Sequence, residues 1–301
     1  MAGKADSLKT ILLALGANFA IFVSKLVAAL LTGSGSMLAE AVHSLADCAN
    51  QGLLLIGMRN AKRAPSSEHP LGYGMVVYFW SFLVALLLFS VGGMFSFYEG
   101  FHKLEHPEPL RWPWLAVGVL AFGFVAESFS MWGCLREVNK ARGNKNLWRW
   151  FRESRQSELI VVFGEDLAAL LGLALALIAV VMTMLTGNAM WDGLGSMWIG
   201  VILIVVAAGI GNEIMALLIG QSADPETVKA IRRFVEQHEG VDTVFRVLTL
   251  QLGTSLMVSL KLKLKAVTAG ELISRINEIE VALRIEFPEI QWLFVEPDVA
   301  D

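Results

Sequence analysis

Residues 36–58 read SMLAEAVHSLADCANQGLLLIGM, a largely apolar run long enough to cross a membrane as one helix. His43 and Asp47 lie within it, and their spacing of four residues places both side chains on one face, one turn apart. An imidazole and a carboxylate stacked in this way are two ligands of a divalent-metal site. Because such groups are costly inside hydrocarbon, the pair predicts a functional metal site within the membrane.

The composition supports a membrane protein. The 301 residues are 55% hydrophobic and only 17% charged, against about 25% charged in an ordinary soluble domain. The net charge of −4 gives no sign of a nucleic-acid partner. The two cysteines, Cys48 and Cys134, exclude a disulfide framework. The sequence has no GxxxxGK[ST] loop and no Ser-His-Asp set in its C-terminal part, so neither an enzyme nor a bound cofactor is expected.

Six apolar stretches of membrane-spanning length are predicted. They cover residues 8–31, 36–58, 76–100, 113–137, 158–186 and 192–219. Basic residues cluster after the second and fourth spans, whereas the alternate loops contribute only Lys103 and Arg111. By the positive-inside rule, both termini are expected in the cytoplasm. No signal or transit segment precedes the first span, which predicts a bacterial inner (plasma) membrane protein.

The pattern changes after Gly220, so a transmembrane domain is predicted over residues 1–220 and a cytoplasmic domain over residues 221–301. A helix begins at Asp224-Pro225, two strand patterns follow, and a capping box opens a second helix before a last strand. This order, αββαβ, is typical of a small two-layer domain. Lys261, Lys263 and Lys265 are expected on the solvated face of an antiparallel sheet, with a contact to anionic lipid as the alternative.

Further ionisable residues lie inside the predicted spans, and those far from the span ends must face inward. The residues that matter for the site are Lys25 in the first span, Glu40 in the second, Glu127 in the fourth, and Glu165 and Asp166 in the fifth. Lys25 and Glu40 lie at similar distances from the turn between their spans. We therefore expect an ion pair across the hairpin or a part in a proton path.

Depth in the membrane sorts the remaining acids. At 1.5 Å per residue, Asp47 and Glu127 both reach about the midplane, where a transported ion is expected to be held. Glu127 could instead be a protonated acid that bonds a neighbouring helix. The fifth span is longer than the hydrocarbon is thick, which leaves the depth of Asp166 open by a turn or more.

Five sequence motifs occur together in this chain, and it is their combination that is specific. They are TGSGSMLAEAVHSLAD at 32–47, HPLGYG at 69–74, residues 192–199, ADP at 223–225 and FVEP at 294–297. Together they resemble the cation diffusion facilitator family, the zinc-type cation efflux transporters, over essentially the whole chain. Asn50-Gln51-Gly52, Glu127 and Glu165-Asp166 resemble the branch that contains the mitochondrial zinc exporter.

The resemblance implies an α-helical membrane protein with six transmembrane helices and a cytoplasmic metallochaperone-like αββαβ domain. It implies efflux of a divalent cation in exchange for protons by alternating access, with zinc as the first candidate for the cation. It also implies a homodimer, which we expect to form through the C-terminal domain. The rival interpretations are a membrane-bound metal sensor or scaffold without transport, and a passive cation channel.

The metal ligands implied by the resemblance come in pairs from the second and fifth spans. Carried over by position, they are His43, Asp47 and Asp166, while the expected fourth ligand, a histidine, falls at Val162. Glu127 fits as its replacement by depth, and Glu165 fits by neighbourhood although it points about 100° away from Asp166 on the helix. Extra oxygen ligands would shift the metal preference of the site toward manganese or iron, whereas the imidazole of His43 keeps zinc and cobalt as candidates.

Overall fold

The computed structural model describes residues 3–265 and 268–300, with side chains from residue 18 onward. Long helices form most of the first 219 residues. Their bounds are α1 Gly3–Thr32, α2 Gly35–Ala61, α3 Val76–Glu105, α4 Pro113–Arg142, α5 Leu147–Glu153, α6 Ser157–Thr186 and α7 Met190–Ile219. The short helix α5 was not predicted from the sequence; the side chain of Asn146 caps it by accepting from the Arg149 N–H at 2.7 Å.

Within the described part of the chain, four helices are long and apolar enough to cross a membrane, namely α3, α4, α6 and α7. Helix α1 is apolar over Asn18–Thr32, and the part of the first predicted span at residues 8–17 lies outside the described side chains. Helix α2 carries the buried Glu40 and His43 among its apolar residues. The count of six membrane spans therefore stays a prediction.

Glycines let α3 and α7 approach each other closely. A Cβ at Gly93 would collide with Ile204, one at Gly100 would collide with Met197, and one at Gly200 would collide with Phe97. Small residues at such crossings allow two backbones to come into contact, which is the usual way for helices to pack inside lipid. Helix α3 has a π-helical segment over Leu88–Met94, so the glycines at 92 and 93 lie in a locally widened turn.

The C-terminal domain has the predicted order of elements. It consists of α8 Pro225–Glu236, β1 Val241–Leu252, β2 Ser255–Leu264, α9 Ala269–Glu286 and β3 Ile290–Pro297. The αββαβ pattern is thus confirmed. Buried side chains of α8, α9 and the sheet form its core, as shown by Ile231, Val258 and Ile279, each at most 1% exposed.

The sheet is mixed, so the prediction of an antiparallel sheet is wrong for one of its two pairs of strands. Strands β1 and β2 are joined by a hairpin and pair antiparallel, whereas β2 and β3 pair parallel. The physical reason is α9, because a helical crossover between two neighbouring strands returns the chain in the same direction. On β2, Lys261 and Lys263 form ion pairs of 2.9 Å with Asp298 and Asp242.

The chain divides into two compact units. The first, called the helical unit below, comprises Met1–Ile56, Trp80–Asn144 and Glu158–Glu213. The second, called the C-terminal unit, comprises Gly57–Phe79, Lys145–Ser157 and Ile214–Asp301. The C-terminal unit thus includes short parts of the helix ends and connections as well as the αββαβ domain.

Candidate metal-binding site

His43 and Asp47 face each other on α2. Nε2 of His43 lies 3.7 Å from Oδ2 of Asp47, and His43 is 0% exposed. A tetrahedral zinc ion with bonds of 2.0–2.1 Å holds neighbouring ligand atoms about 3.3 Å apart. Both ring nitrogens of His43 and Oδ1 of Asp47 are buried without a hydrogen-bond partner among the described residues. The pair therefore has free lone pairs at a separation close to the one that a shared ion requires.

A cavity of about 70 Å³ lies beside this pair, in the helical unit. Four carboxylates line it: Asp47 of α2, Glu127 of α4, and Glu165 and Asp166 of α6. The remaining lining residues are Asn18, Ile21, Ser44, Gln51, Ser130, Val162 and Ala169. Its size suits one metal ion with water, since a buried water needs a cavity of about 10–15 Å³.

The structure places five predicted metal residues as follows. Asp47, Glu127, Glu165 and Asp166 share the cavity, whereas His43 lies outside its lining. Among the side chains that the structure describes, no three His, Cys, Asp or Glu residues stand close enough together to hold one ion. Coordination by more than two of these residues therefore requires side chains or helices to move closer together.

Two neutral side chains hold two of the carboxylates. Ser130 Oγ lies 3.2 Å from both oxygens of Asp166, and Asn50 Nδ2 donates to Oε1 of Glu165 at 2.5 Å. The sequence interpretation missed both as site residues. The signal was available: Asn50 lies three residues after Asp47 and Ser130 three residues after Glu127, so each shares a helix face with a proposed ligand.

Lys25 and Glu40 form an ion pair inside the helical unit. Nζ of Lys25 lies 3.2 Å from Oε2 of Glu40 and donates to Oγ of Ser44 at 2.7 Å. Lys25 is 1% exposed and Glu40 is 0% exposed. A Cβ at Gly172 would collide with Oε1 of Glu40, so this glycine of α6 makes room for the carboxylate. Because Ser44 also lines the cavity, the ammonium group is one side chain away from the proposed metal site.

Carboxylates from three helices thus line one cavity beside an ion pair of α1 and α2. The described part of the chain also has four helices long and apolar enough to cross a membrane. Residues 11–219 match the family described as the cation efflux transmembrane domain. The chain belongs to this family, which confirms the resemblance drawn from residues 32–47 and 69–74.

Individual relatives are similar over most of this chain. It is 34% identical over 249 residues to the mitochondrial proton-coupled zinc antiporter SLC30A9 of Xenopus laevis, a match covering 82% of this chain and 44% of that protein. The Homo sapiens protein of the same name is 32% identical over 247 residues, with 81% and 44% covered. Metal tolerance protein C4 of Arabidopsis thaliana is 30% identical over 245 residues, with 79% and 53% covered. The chain thus spans about half or less of the length of these relatives.

Proposed function

We propose that this integral membrane protein expels a divalent transition-metal cation in exchange for protons, and that zinc is the first candidate for this cation. The observation that carries the proposal is the cavity lined by Asp47, Glu127, Glu165 and Asp166 among membrane helices. Carboxylates inside a membrane domain are rare and mark ion pathways. Membership of the cation efflux family and the similarity to zinc antiporters support the same function.

In this proposal, His43 and Asp47 are the first two ligands, and Asp166 joins them from α6. Glu127 and Glu165 are the candidates for the ligand that Val162 does not provide. Metal binding displaces protons from imidazole and carboxylate groups because both ions compete for the same lone pairs. The helices then rock about the bound ion and open the cavity to the other side, where protons replace the metal. A proton gradient thereby drives expulsion.

The ion pair of Lys25 and Glu40 has a separate part in the proposal. Its ammonium group contacts Ser44 in the cavity wall, and Oε1 of Glu40 is buried without a hydrogen-bond partner among the described residues. A carboxylate with a free buried oxygen can accept a proton. We assign the pair either a fixed structural role or a step in the proton path, and a variant with both charges removed separates the two roles by its effect on proton coupling.

The topology and assembly are also proposed. Residues 1–220 form the transmembrane domain and residues 221–301 a cytoplasmic domain, with both termini in the cytoplasm and the chain in a bacterial plasma membrane. The loop charges support this orientation. A homodimer through the C-terminal domain is supported by the sheet face opposite α8 and α9, where Leu248 and Phe294 are 56% and 52% exposed. A second copy of the chain would cover these apolar side chains.

Transport in reconstituted vesicles tests the proposed function. Vesicles with an imposed pH gradient should take up zinc against its gradient, with an opposite proton flux reported by a pH-sensitive dye. Asp47→Ala should abolish both fluxes and leave the protein folded. Glu137→Gln is the matched control, because it removes an acid exposed on α4 away from the cavity.

Each rival interpretation has its own result in this assay. Zinc binding without any flux would favour a sensor or scaffold. Zinc flux without uphill accumulation would favour a passive channel. Normal coupled transport by Asp47→Ala would remove this residue from the mechanism.

A further inference from the structure

Asn50 forms a short contact between the two helices that carry most of the proposed ligands. Its Nδ2 donates to Oε1 of Glu165 at 2.5 Å, which links α2 to α6. Asn50 is 0% exposed and Glu165 is 7% exposed. On α2, Asn50 lies three residues after Asp47 and seven after His43, so all three share one face. The amide thus continues the polar face of α2 by one more turn.

The hydrogen bond to Glu165 offsets part of the cost of burying this amide. Oδ1 of Asn50 has no hydrogen-bond partner among the described residues. A buried polar atom without a partner is destabilising, and an apolar side chain at this position would avoid that cost. Packing therefore does not account for an asparagine here, whereas the bond to the carboxylate does.

The orientation of Glu165 depends on this contact. Glu165 and Asp166 are adjacent on α6, so their side chains leave the helix about 100° apart. Both nevertheless line the same cavity. Among the described side chains, no cation pairs with Glu165, and the amide of Asn50 donates a hydrogen bond to it. Asn50 therefore holds the carboxylate toward α2 and leaves Oε2 available to a metal ion.

The ligand atoms available around the cavity connect this contact to the choice between metal ions. Val162 lies one turn before Asp166 and lines the cavity with an aliphatic side chain that has no lone pair to offer. Glu165 supplies a carboxylate oxygen from the same helix. Oxygen donors suit harder ions such as Mn²⁺, whereas imidazole suits Zn²⁺.

We propose that Asn50 is a positioning residue that sets the metal selectivity of the cavity by holding Glu165 in place as an oxygen ligand. The inference rests on the proposed function, since it assigns a role within the same site. It predicts that loss of the amide weakens the handling of Mn²⁺ more than that of Zn²⁺. Asn50→Leu should raise the ratio of zinc to manganese transport at least fivefold.

The full-length chain in vesicles provides the test, with initial rates measured for Zn²⁺ and Mn²⁺ separately. Asn50→Gln keeps the NH₂ donor and should stay within twofold of the original ratio. Asn212→Leu is the matched control and should leave the ratio unchanged, because Asn212 is an exposed asparagine of α7 that also donates to a glutamate, Glu213, but does not line the cavity. Glu165→Ala should reproduce the shift of Asn50→Leu, and the double variant should shift no further.

Two results would overturn the inference. In the first, Asn50→Leu lowers both transport rates equally, as a merely structural defect would. In the second, the shifts of Asn50→Leu and Glu165→Ala add up in the double variant. Equilibrium binding of Zn²⁺ and Mn²⁺ to the detergent-solubilised chain gives the same ratio without transport. A chain that binds both metals but moves neither would contradict the proposed function, while the binding ratio would still decide the role of Asn50.

Discussion

Asp192 Oδ1 accepts a hydrogen bond from Ser34 Oγ at 2.6 Å, which ties the beginning of α7 to the beginning of α2. The same carboxylate accepts from the backbone N–H of Gly35 at 2.6 Å and from Oγ of Ser36 at 2.5 Å. The first N–H groups of a helix lack partners within the helix and carry a partial positive charge. A side chain from another helix therefore provides the N-terminal cap of α2, the helix that bears His43 and Asp47.

Removal of this cap should destabilise the helical unit. Asp192→Ala leaves the buried donors at residues 34–36 without their acceptor, and we expect a loss of about 3 kcal/mol, as for hydrogen bonds to a buried charged group. Thermal unfolding of the detergent-solubilised protein measures the effect. Ser34→Ala removes one donor only and should lower the melting temperature less. Equal melting of Asp192→Ala and the unaltered protein would contradict the capping role.

The capping contact of α2 illustrates which features of the site the sequence predicts and which it does not. The spacing of His43 and Asp47 predicts their shared face because helical periodicity is a local property. The bond from Ser34 to Asp192 joins residues 158 positions apart, and the bond from Asn50 to Glu165 joins residues 115 apart. Such contacts depend on how helices pack, which periodicity does not contain.

The same limit applies to Glu165 and to the sheet. From the helical wheel alone, Glu165 points away from Asp166, yet a donor on another helix draws it to the shared cavity. The αββαβ order followed from local patterns, but the parallel pairing of β3 with β2 followed from the path of α9. Local pattern thus predicted the elements and their faces, and tertiary contacts decided which side chains meet.

Lys25 and Glu40 should show strong energetic coupling. Lys25→Met leaves a buried carboxylate without its cation, and Glu40→Gln leaves a buried ammonium group without its anion. Removal of one partner of a buried pair costs about 3–5 kcal/mol, whereas removal of both is often close to neutral. Melting temperatures of the two single variants and the double variant form a complete cycle. If the double variant loses the sum of the two single losses, the residues do not act as a pair.

The contacts of Lys145 predict that the stability of the C-terminal unit depends on pH. Its Nζ lies 2.5 Å from Oδ2 of Asp224 and 3.3 Å from Oε2 of Glu153. Burial raises the pKa of Asp224, but the hydrogen bonds from Lys145 and from the Glu226 N–H and the charge of Lys145 outweigh it and hold this pKa below its usual value. A lowered pKa stabilises the fold above the ordinary aspartate pKa of about 3.9, and this stabilisation disappears as the pH falls through the folded value.

Asp224→Asn isolates the charge, because asparagine caps a helix about as well as aspartate. We expect it to lower stability by about 1 kcal/mol at pH 7, and the difference should shrink toward pH 3. Melting temperatures at both pH values give the comparison. Asp242→Asn, which breaks the more exposed ion pair with Lys263, should have little effect at either pH. A constant difference across this range would show that the ionisation of Asp224 does not contribute.

Val162 provides a gain-of-function test of the site. It lies four residues before Asp166 and lines the cavity, so a histidine here would stand one turn from that carboxylate, as His43 stands from Asp47. Val162→His adds an imidazole, and we expect zinc to be favoured over manganese by roughly tenfold more than in the unaltered protein, since imidazole suits zinc. Competition between the two metals for binding to the solubilised protein measures this ratio. Val162→Leu fills similar space without a lone pair and should leave the ratio unchanged. If histidine and leucine behave alike, the side chain at position 162 does not reach the bound ion, and Asp166 does not share that ion with a neighbour on its own helix face.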